Sequence, residues 1–219
     1  MREIIISPSI LSLDYANVSE QLQLLKESCA KWLHFDVMDG HFVPNLTFGP
    51  DILKGFKRAT QLVMDVHIMV KNPSFIADLF IQAGADIITF HLEAVKGIEE
   101  CVALCKDIRK KGVKVGVSVK PNTAIDELLP YLKEMDMVLI MSVEPGFGGQ
   151  PFLAHTLDKV RRLRQEIDKQ GYDVKIEIDG GINDQTAPLA IQAGCDVLVS
   201  GSYIFKNDIK KSIDLLCQK

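Results

Sequence analysis

Two short segments of this chain alternate ionisable and apolar side chains at the period of an extended strand. In Leu33-His34-Phe35-Asp36-Val37-Met38 that period puts His34, Asp36 and Met38 on one face, and in Asp65-Val66-His67-Ile68-Met69 it does the same for Asp65, His67 and Met69. A third segment, Ile176-Glu177-Ile178-Asp179, delivers another carboxylate directly before Gly180-Gly181. If all three are strands of one sheet, His34, Asp36, His67 and Asp179 converge. Two imidazoles and two carboxylates form a mixed donor set suited to one divalent cation such as Zn2+, Fe2+, Mn2+ or Co2+, and the lack of thiolates separates it from a structural zinc finger. Each histidine alone reads more simply as a hydrogen-bonded core residue, but four inward ionisable groups without a cation would cost several kcal/mol per unpaired charge. His91 and Glu93, at the end of a fourth apolar run, are rival ligands or a supporting shell.

The second chemical feature is glycine. Glu144-Pro145-Gly146-Phe147-Gly148-Gly149-Gln150-Pro151, Gly180-Gly181 and Gly201-Ser202 follow three successive strand-like runs. Such loops let backbone N–H groups approach an anion such as a phosphate, or they simply make tight turns. No Lys or Arg occurs from Ser142 to Phe152, so a phosphate there would be held mainly by amides. Met38, Met69 and Met141, at strand ends, read first as barrel-filling side chains.

What must position these groups is a repeated βα pattern. Strands are expected near residues 4–10, 33–38, 62–69, 86–90, 114–119, 136–141, 174–178 and 196–200, with a helix in each gap. Ala83-Gly84-Ala85, Lys111-Gly112-Val113 and Ala193-Gly194-Cys195 mark helix ends by glycine. Ile81-Gln82-Ala83-Gly84-Ala85-Asp86 recurs as Ile191-Gln192-Ala193-Gly194-Cys195-Asp196, half a chain later, which suits a barrel of two four-unit halves. Eight units in this length predict an α/β fold with one domain over 1–219, a (β/α)8 TIM barrel of eight parallel strands. A doubly wound open sheet is disfavoured because no Gly-x-Gly-x-x-Gly follows the first strand.

Composition agrees with an ordinary folded, core-forming protein. The 219 residues are 47% hydrophobic and 25% charged, and 25 Lys+Arg against 29 Asp+Glu give a net charge of −4, which offers nothing to a nucleic-acid backbone. The apolar stretch in Met1-Arg2-Glu3-Ile4-Ile5-Ile6 is too short for a secretory core and no run approaches a membrane span, so a cytoplasmic chain is expected. Cys29, Cys101, Cys105, Cys195 and Cys217 are odd in number and lack Cys-x-x-Cys spacing, so all five are expected as reduced thiols.

Several motifs together resemble those of the ribulose-phosphate 3-epimerases along essentially the whole chain. They are Ser7-Pro8-Ser9-Ile10-Leu11-Ser12, His34-Phe35-Asp36-Val37-Met38-Asp39-Gly40-His41-Phe42-Val43-Pro44-Asn45, Asp65-Val66-His67-Ile68-Met69, His91-Leu92-Glu93-Ala94, Pro145-Gly146-Phe147-Gly148-Gly149-Gln150, Glu177-Ile178-Asp179-Gly180-Gly181-Ile182 and Gly201-Ser202-Tyr203-Ile204-Phe205. The resemblance implies an isomerase that interconverts D-ribulose 5-phosphate and D-xylulose 5-phosphate with one divalent metal per subunit. It implies that His34, Asp36, His67 and Asp179 hold the metal and that Asp36 and Asp179 are the acid/base pair. Ser9 and His67 would touch substrate. Gly146, Phe147, Gly148, Gly149, Gly180, Gly181, Gly201 and Ser202 would hold the phosphate, with Met38, Met69 and Met141 shaping the space around the reacting carbons. Lys120-Pro121-Asn122-Thr123 and Glu144-Pro145 depart from the commoner Asn-Pro-Gly-Thr and Asn-Pro, which puts peripheral contacts in doubt.

Three other functions compete. The same chemistry on another ketose phosphate, such as D-allulose 6-phosphate, is one. A lyase akin to sugar-phosphate decarboxylases is another, but its Asp-x-Lys-x-x-Asp element has no counterpart at His34 to Asp39, which holds no lysine. A non-catalytic phosphate-binding barrel would have no use for the carboxylates. Exposed apolar helix faces are expected to make a homo-oligomer, either a dimer or a hexamer.

Overall fold

A computed structural model describes residues 2–218, so Met1 and Lys219, the ends of the expected 1–219 domain, lie outside the described residues. Eight apolar, β-rich runs form the strands β1 (Ile5–Pro8), β2 (Trp32–Met38), β3 (Val63–Met69), β4 (Ile87–His91), β5 (Lys114–Val119), β6 (Met137–Met141), β7 (Lys175–Asp179) and β8 (Val197–Ser200). All pairings are parallel, in the order β1-β8-β7-β6-β5-β4-β3-β2. A parallel bridge between Ser9 and His34 joins the two ends of that order and closes the barrel. The expected (β/α)8 architecture is therefore present.

Helices α1 (Val18–Lys26), α2 (Pro50–Ala59), α3 (Pro73–Ala83), α4 (Ile98–Lys110), α5 (Leu157–Gln170), α6 (Thr186–Ala193), α7 (Ser202–Phe205) and α8 (Ile209–Cys217) cover the outside. Outward strand residues such as Phe35, Val66, Ile88, Val117, Ile140 and Ile178 pack against Leu53, Phe80, Leu104 and Leu163 of that layer. The expectation of one helix per gap fails once. Between β5 and β6 the chain makes only a 3-10 segment, Leu129–Glu134, with Pro130 in its first turn. The eighth helix appears after β8, where α7 and α8 follow in succession.

The repeated Ile-Gln-Ala-Gly-x-Asp segment has a structural cause. Asp86 accepts the Met64 N–H at 2.7 Å and meets Lys57 Nζ at 2.5 Å, while Asp196 accepts the Ile176 N–H at 2.8 Å and pairs with Arg164. Asp136 is a third copy, accepting the Val115 N–H at 2.8 Å and a forked pair from Arg109 at 2.7 and 3.1 Å. One aspartate thus precedes each of β4, β6 and β8, so the device recurs every second strand rather than only every fourth.

The expectation of five reduced thiols is corrected. Cys29 and Cys217 form a disulfide, while Cys101, Cys105 and Cys195 are free and buried. Helix α8 lies beside α1 and brings Cys217 to Cys29 across a separation of 188 residues, a proximity that neither spacing nor parity could reveal. Among the described residues no helix is long and apolar enough to cross a membrane.

Candidate active site

Inward residues fill the barrel in layers. At the amino ends of the strands Ile5, Trp32, Ile87, Met137 and Val197 form an apolar plug. Above it lie Ser7, His34, Asp65, Thr89, Ser118 and Glu177, all buried. Above these, at the carboxyl ends, Ser9, Asp36 and Asp179 form the floor of a cleft of about 500 Å3, with His67 and His91 buried behind them. The residues expected at the site are divided between cleft and floor. Ser9, Asp36, Met38, Met69, Met141, Gly146, Phe147, Gly148, Gly149, Asp179, Gly180, Gly181, Gly201 and Ser202 line the cleft, whereas His34 and His67 lie fully buried beneath its surface.

One donor atom from each of His34, Asp36, His67 and Asp179 lies within 4.8 Å of all the others. The period-two geometry of β2 and β3 achieves this: His34 is paired with Asp65 and Asp36 with His67 across the ladder. Asp36 Oδ1 is 3.3 Å from both His34 Nε2 and His67 Nδ1, and Asp36 Oδ2 accepts the Ser9 hydroxyl at 2.6 Å. His34 Nε2 is buried and makes no hydrogen bond among the described residues. Hard carboxylate and borderline imidazole donors, with a buried ring nitrogen lacking a partner, fit a divalent cation.

Electrostatics push the two carboxylates of this set apart. Burial opposes ionisation of Asp36, but the charge of His34 beside it, with the close ring of His67, overcomes burial and holds Asp36 far below the usual carboxylate range. Burial, and then the charge of Asp36, push Asp179 up to about 7. Two carboxylates of one set thus have strongly unequal proton affinities. Burial also works against a charge on His34, yet Asp65 and Asp36 raise its pKa well above the ordinary value.

A shell of carboxylates stands behind the histidines. Asp65 Oδ2 accepts from His34 Nδ1 at 2.7 Å and from the Ser7 hydroxyl at 3.0 Å. Burial and the charge of Asp65 raise the Glu177 carboxyl well above the ordinary carboxylate range. His67 Nε2 lies 2.9 Å from His91 Nε2, and His91 Nδ1 lies 3.1 Å from Glu93 Oε2. His91 and Glu93 stand outside the four-residue set, so of their two expected roles the geometry matches the supporting one. Burial lowers the pKa of His91 to about 4, whereas Glu93, although half-buried, is brought down to about 2 by hydrogen bonds from His91, Thr123 and the Lys120 N–H. Asp65 and Glu177 were not singled out as site residues from sequence, although they occupy the same inward register as His67 and Asp179.

The glycine loops divide by cause. A Cβ on Gly180 would lie 2.6 Å from Val143 Cγ2 and 2.9 Å from the Val143 nitrogen, and φ is +124°, so packing alone demands glycine. Gly148 has no positive φ, and the nearest atom to a Cβ there would be Ser12 Oγ at 3.8 Å. The fold does not require glycine at 148, which leaves clearance for something in the cleft as its reason. Phe147 is exposed at the rim, and Asn45 Nδ2 donates to the Gly146 carbonyl, tying this loop to the one after β2. Lys206 also lines the cleft and is, among the described residues, its only lysine or arginine. It was missed from sequence, although it lies one helical turn beyond Ser202.

The model of the ribulose-phosphate 3-epimerase family matches residues 5–205. The chain is 45% identical over 217 residues to the ribulose-phosphate 3-epimerase of Treponema pallidum, covering 99% of this chain and 97% of that one. It is 41% identical to the Bacillus subtilis protein of the same name, covering 95% of each. Among solved structures, 3-keto-L-gulonate-6-phosphate decarboxylase from Vibrio cholerae superposes with a TM-score of 0.70 at 14% identity, covering 100% of this chain and 97% of the other. 3-Hexulose-6-phosphate synthase does so with 0.65 at 18%, covering 100% and 99%. At such identities these two share the fold alone.

Proposed function

The chain belongs to the ribulose-phosphate 3-epimerase family, and from that premise we propose that it interconverts D-ribulose 5-phosphate and D-xylulose 5-phosphate by proton transfer between Asp36 and Asp179. The observation that carries this reading is the pair itself: two carboxylates from β2 and β7 on one cleft floor, with their proton affinities driven in opposite directions.

Inverting the carbon beside a ketone means removing its proton from one face and returning one to the other. The ionised carboxylate, Asp36, takes the C3 proton, and the C–H electron pair moves into the C2–C3 bond as the carbonyl pair moves onto oxygen. Asp179, on the opposite side, then gives its proton to C3 from the other face while the C2 carbonyl re-forms, and in the reverse direction the roles exchange. Ser9 fixes the Asp36 carboxylate through its 2.6 Å hydrogen bond, so little reorientation is needed. His34, Asp36, His67 and Asp179 are the residues that would hold a divalent cation, with Zn2+, Fe2+, Mn2+ and Co2+ all suited to the donors. When bound, such a cation supplies Lewis-acid stabilisation of the negative charge developing on the substrate oxygens.

The backbone N–H groups of Gly146, Phe147, Gly148, Gly149, Gly180, Gly181, Gly201 and Ser202, with Lys206 beside them, hold the phosphate and so place C3 between the carboxylates. Met38, Met69 and Met141 give the middle of the cleft an apolar wall. We place the activity in the cytoplasm, where charged sugar phosphates are made and retained, and in a homo-oligomer, a dimer or hexamer, that covers exposed Leu46, Ile52 and Phe75. Light scattering at assay concentration tests the oligomer, and a monomer would remove it. The activity is tested by epimerisation of D-ribulose 5-phosphate with and without chelator, with D-allulose 6-phosphate as rival substrate. Fast pentose turnover that chelator abolishes is expected; full turnover by the metal-stripped chain would overturn the assignment of the four ligands.

A further inference from the structure

We infer that His91 and Glu93 are positioning residues for His67, a buried relay that turns the Nδ1 lone pair of His67 toward the cation. The inference rests on the metal reading above and adds residues that lie outside its ligand set.

The relay follows from counting hydrogens, starting at Glu93. Its Oε1 accepts the Lys120 N–H at 2.7 Å and the Thr123 hydroxyl, which leaves Oε2 for His91 Nδ1 at 3.1 Å. An ionised carboxylate only accepts, so His91 Nδ1 carries the hydrogen. A neutral imidazole has one N–H, and His91 Nε2 is therefore an acceptor. Its partner at 2.9 Å is His67 Nε2, which must donate. The lone pair of His67 then falls on Nδ1, the atom facing Asp36 Oδ1 at 3.3 Å. Both rings are fully buried, and Phe42 packs on His91 at 4.9 Å, so no water substitutes for either partner.

His34 is set differently. Its Nδ1 donates directly to Asp65, so Nε2 faces the site. The two histidines thus offer opposite ring nitrogens, each selected by a carboxylate on a neighbouring strand or loop. The departure at Lys120 leaves the hydrogen bonds of Glu93 in place, because residue 120 reaches Glu93 through its backbone N–H and Thr123 is retained.

The test is cobalt affinity of the metal-stripped chain, read by competition with a chromophoric chelator, for the parent, Glu93→Gln, Glu93→Asp and His91→Phe. Glutamine has one acceptor oxygen and cannot serve both sides of Glu93. Loss of an outer-shell partner of this kind lowers metal affinity by about 10–100-fold, so that is the effect expected for Glu93→Gln and His91→Phe, with partial recovery in Glu93→Asp. In 15N-histidine spectra of the zinc-loaded parent, His67 should coordinate through Nδ1 and keep its proton on Nε2. Coordination through Nε2 overturns the inference without any variant, as do affinities for Glu93→Gln and His91→Phe within about threefold of the parent. A parent chain that binds no cobalt overturns the metal reading and this inference with it, which separates the two failures.

Discussion

The amino and carboxyl ends of the barrel interior are built by the same strands on the same inward register, yet they hold opposite chemistry. Trp32, at the start of β2, belongs to the apolar plug, while Asp36, four residues later on the same face, is a charged group on the cleft floor. The plug holds Ile5, Ile87, Met137 and Val197 in mutual contact with no polar partner to satisfy. The floor holds ionisable groups that raise or lower each other's proton affinity. Within the barrel interior, apolar packing thus fills one end and ionisable groups the other, in keeping with barrels that carry function on their βα loops.

That separation can be broken most sharply at Asp179. Asp179→Asn should lower kcat for ribulose 5-phosphate by about 10²–10⁴-fold, the contribution of a positioned acid or base. At pH 8 the metal-stripped variant should be at least as stable to urea as the parent, because the charge it loses is one the fold disfavours. A large loss of stability would place Asp179 with the plug instead. Trp32→Ala should do the reverse, costing about 3–5 kcal/mol of folding stability in denaturant titration while the folded fraction keeps kcat within a few fold.

The loops sharpen the comparison by a smaller effect. Gly180→Ala should destabilise the chain by about 1–3 kcal/mol through its clash with Val143, whereas Gly148→Ala should leave the melting temperature unchanged and raise KM for the phosphorylated sugar. Equal thermal shifts in the two variants would refute the division of the glycines by cause. A further test concerns pH. Asp179 has a pKa of about 7 and His34 one well above its ordinary value, so each binds a proton that a cation must displace below those values. As pH falls from 8 to 6, cobalt affinity should drop with a slope that steepens below about 7, by roughly tenfold per unit for each proton displaced. A flat profile in chelator competition would detach these groups from metal binding.

Much of this arrangement was legible in the residues. The alternation in β2 and β3 predicted which side chains face inward, and the continuous apolar runs predicted a sheet covered on both faces. The repeated Asp86 and Asp196 segments were visible as a repeat, but their partners Lys57 and Arg164 were not, since each lies on a helix far away in sequence. The missing fifth helix had no clear signal, since proline in a first turn, as at Pro130, is compatible with a helix. Neither the Cys29–Cys217 bridge nor Lys206 at the cleft had such a signal beyond its distance from a motif.

The local periods of two for strands and 3.6 for helices determine, from sequence alone, the succession of elements and the face on which His34, Asp36, His67 and Asp179 sit. Only closure of the barrel decides which of those groups meet and what their protonation becomes. Proton affinity depends on burial and on charges a few ångströms away, and those distances exist only after β1 meets β2 and the carboxyl ends of all eight strands share one rim. Opposite tendencies in Asp36 and Asp179, two residues of one type, are therefore a property of the folded chain and not of its sequence.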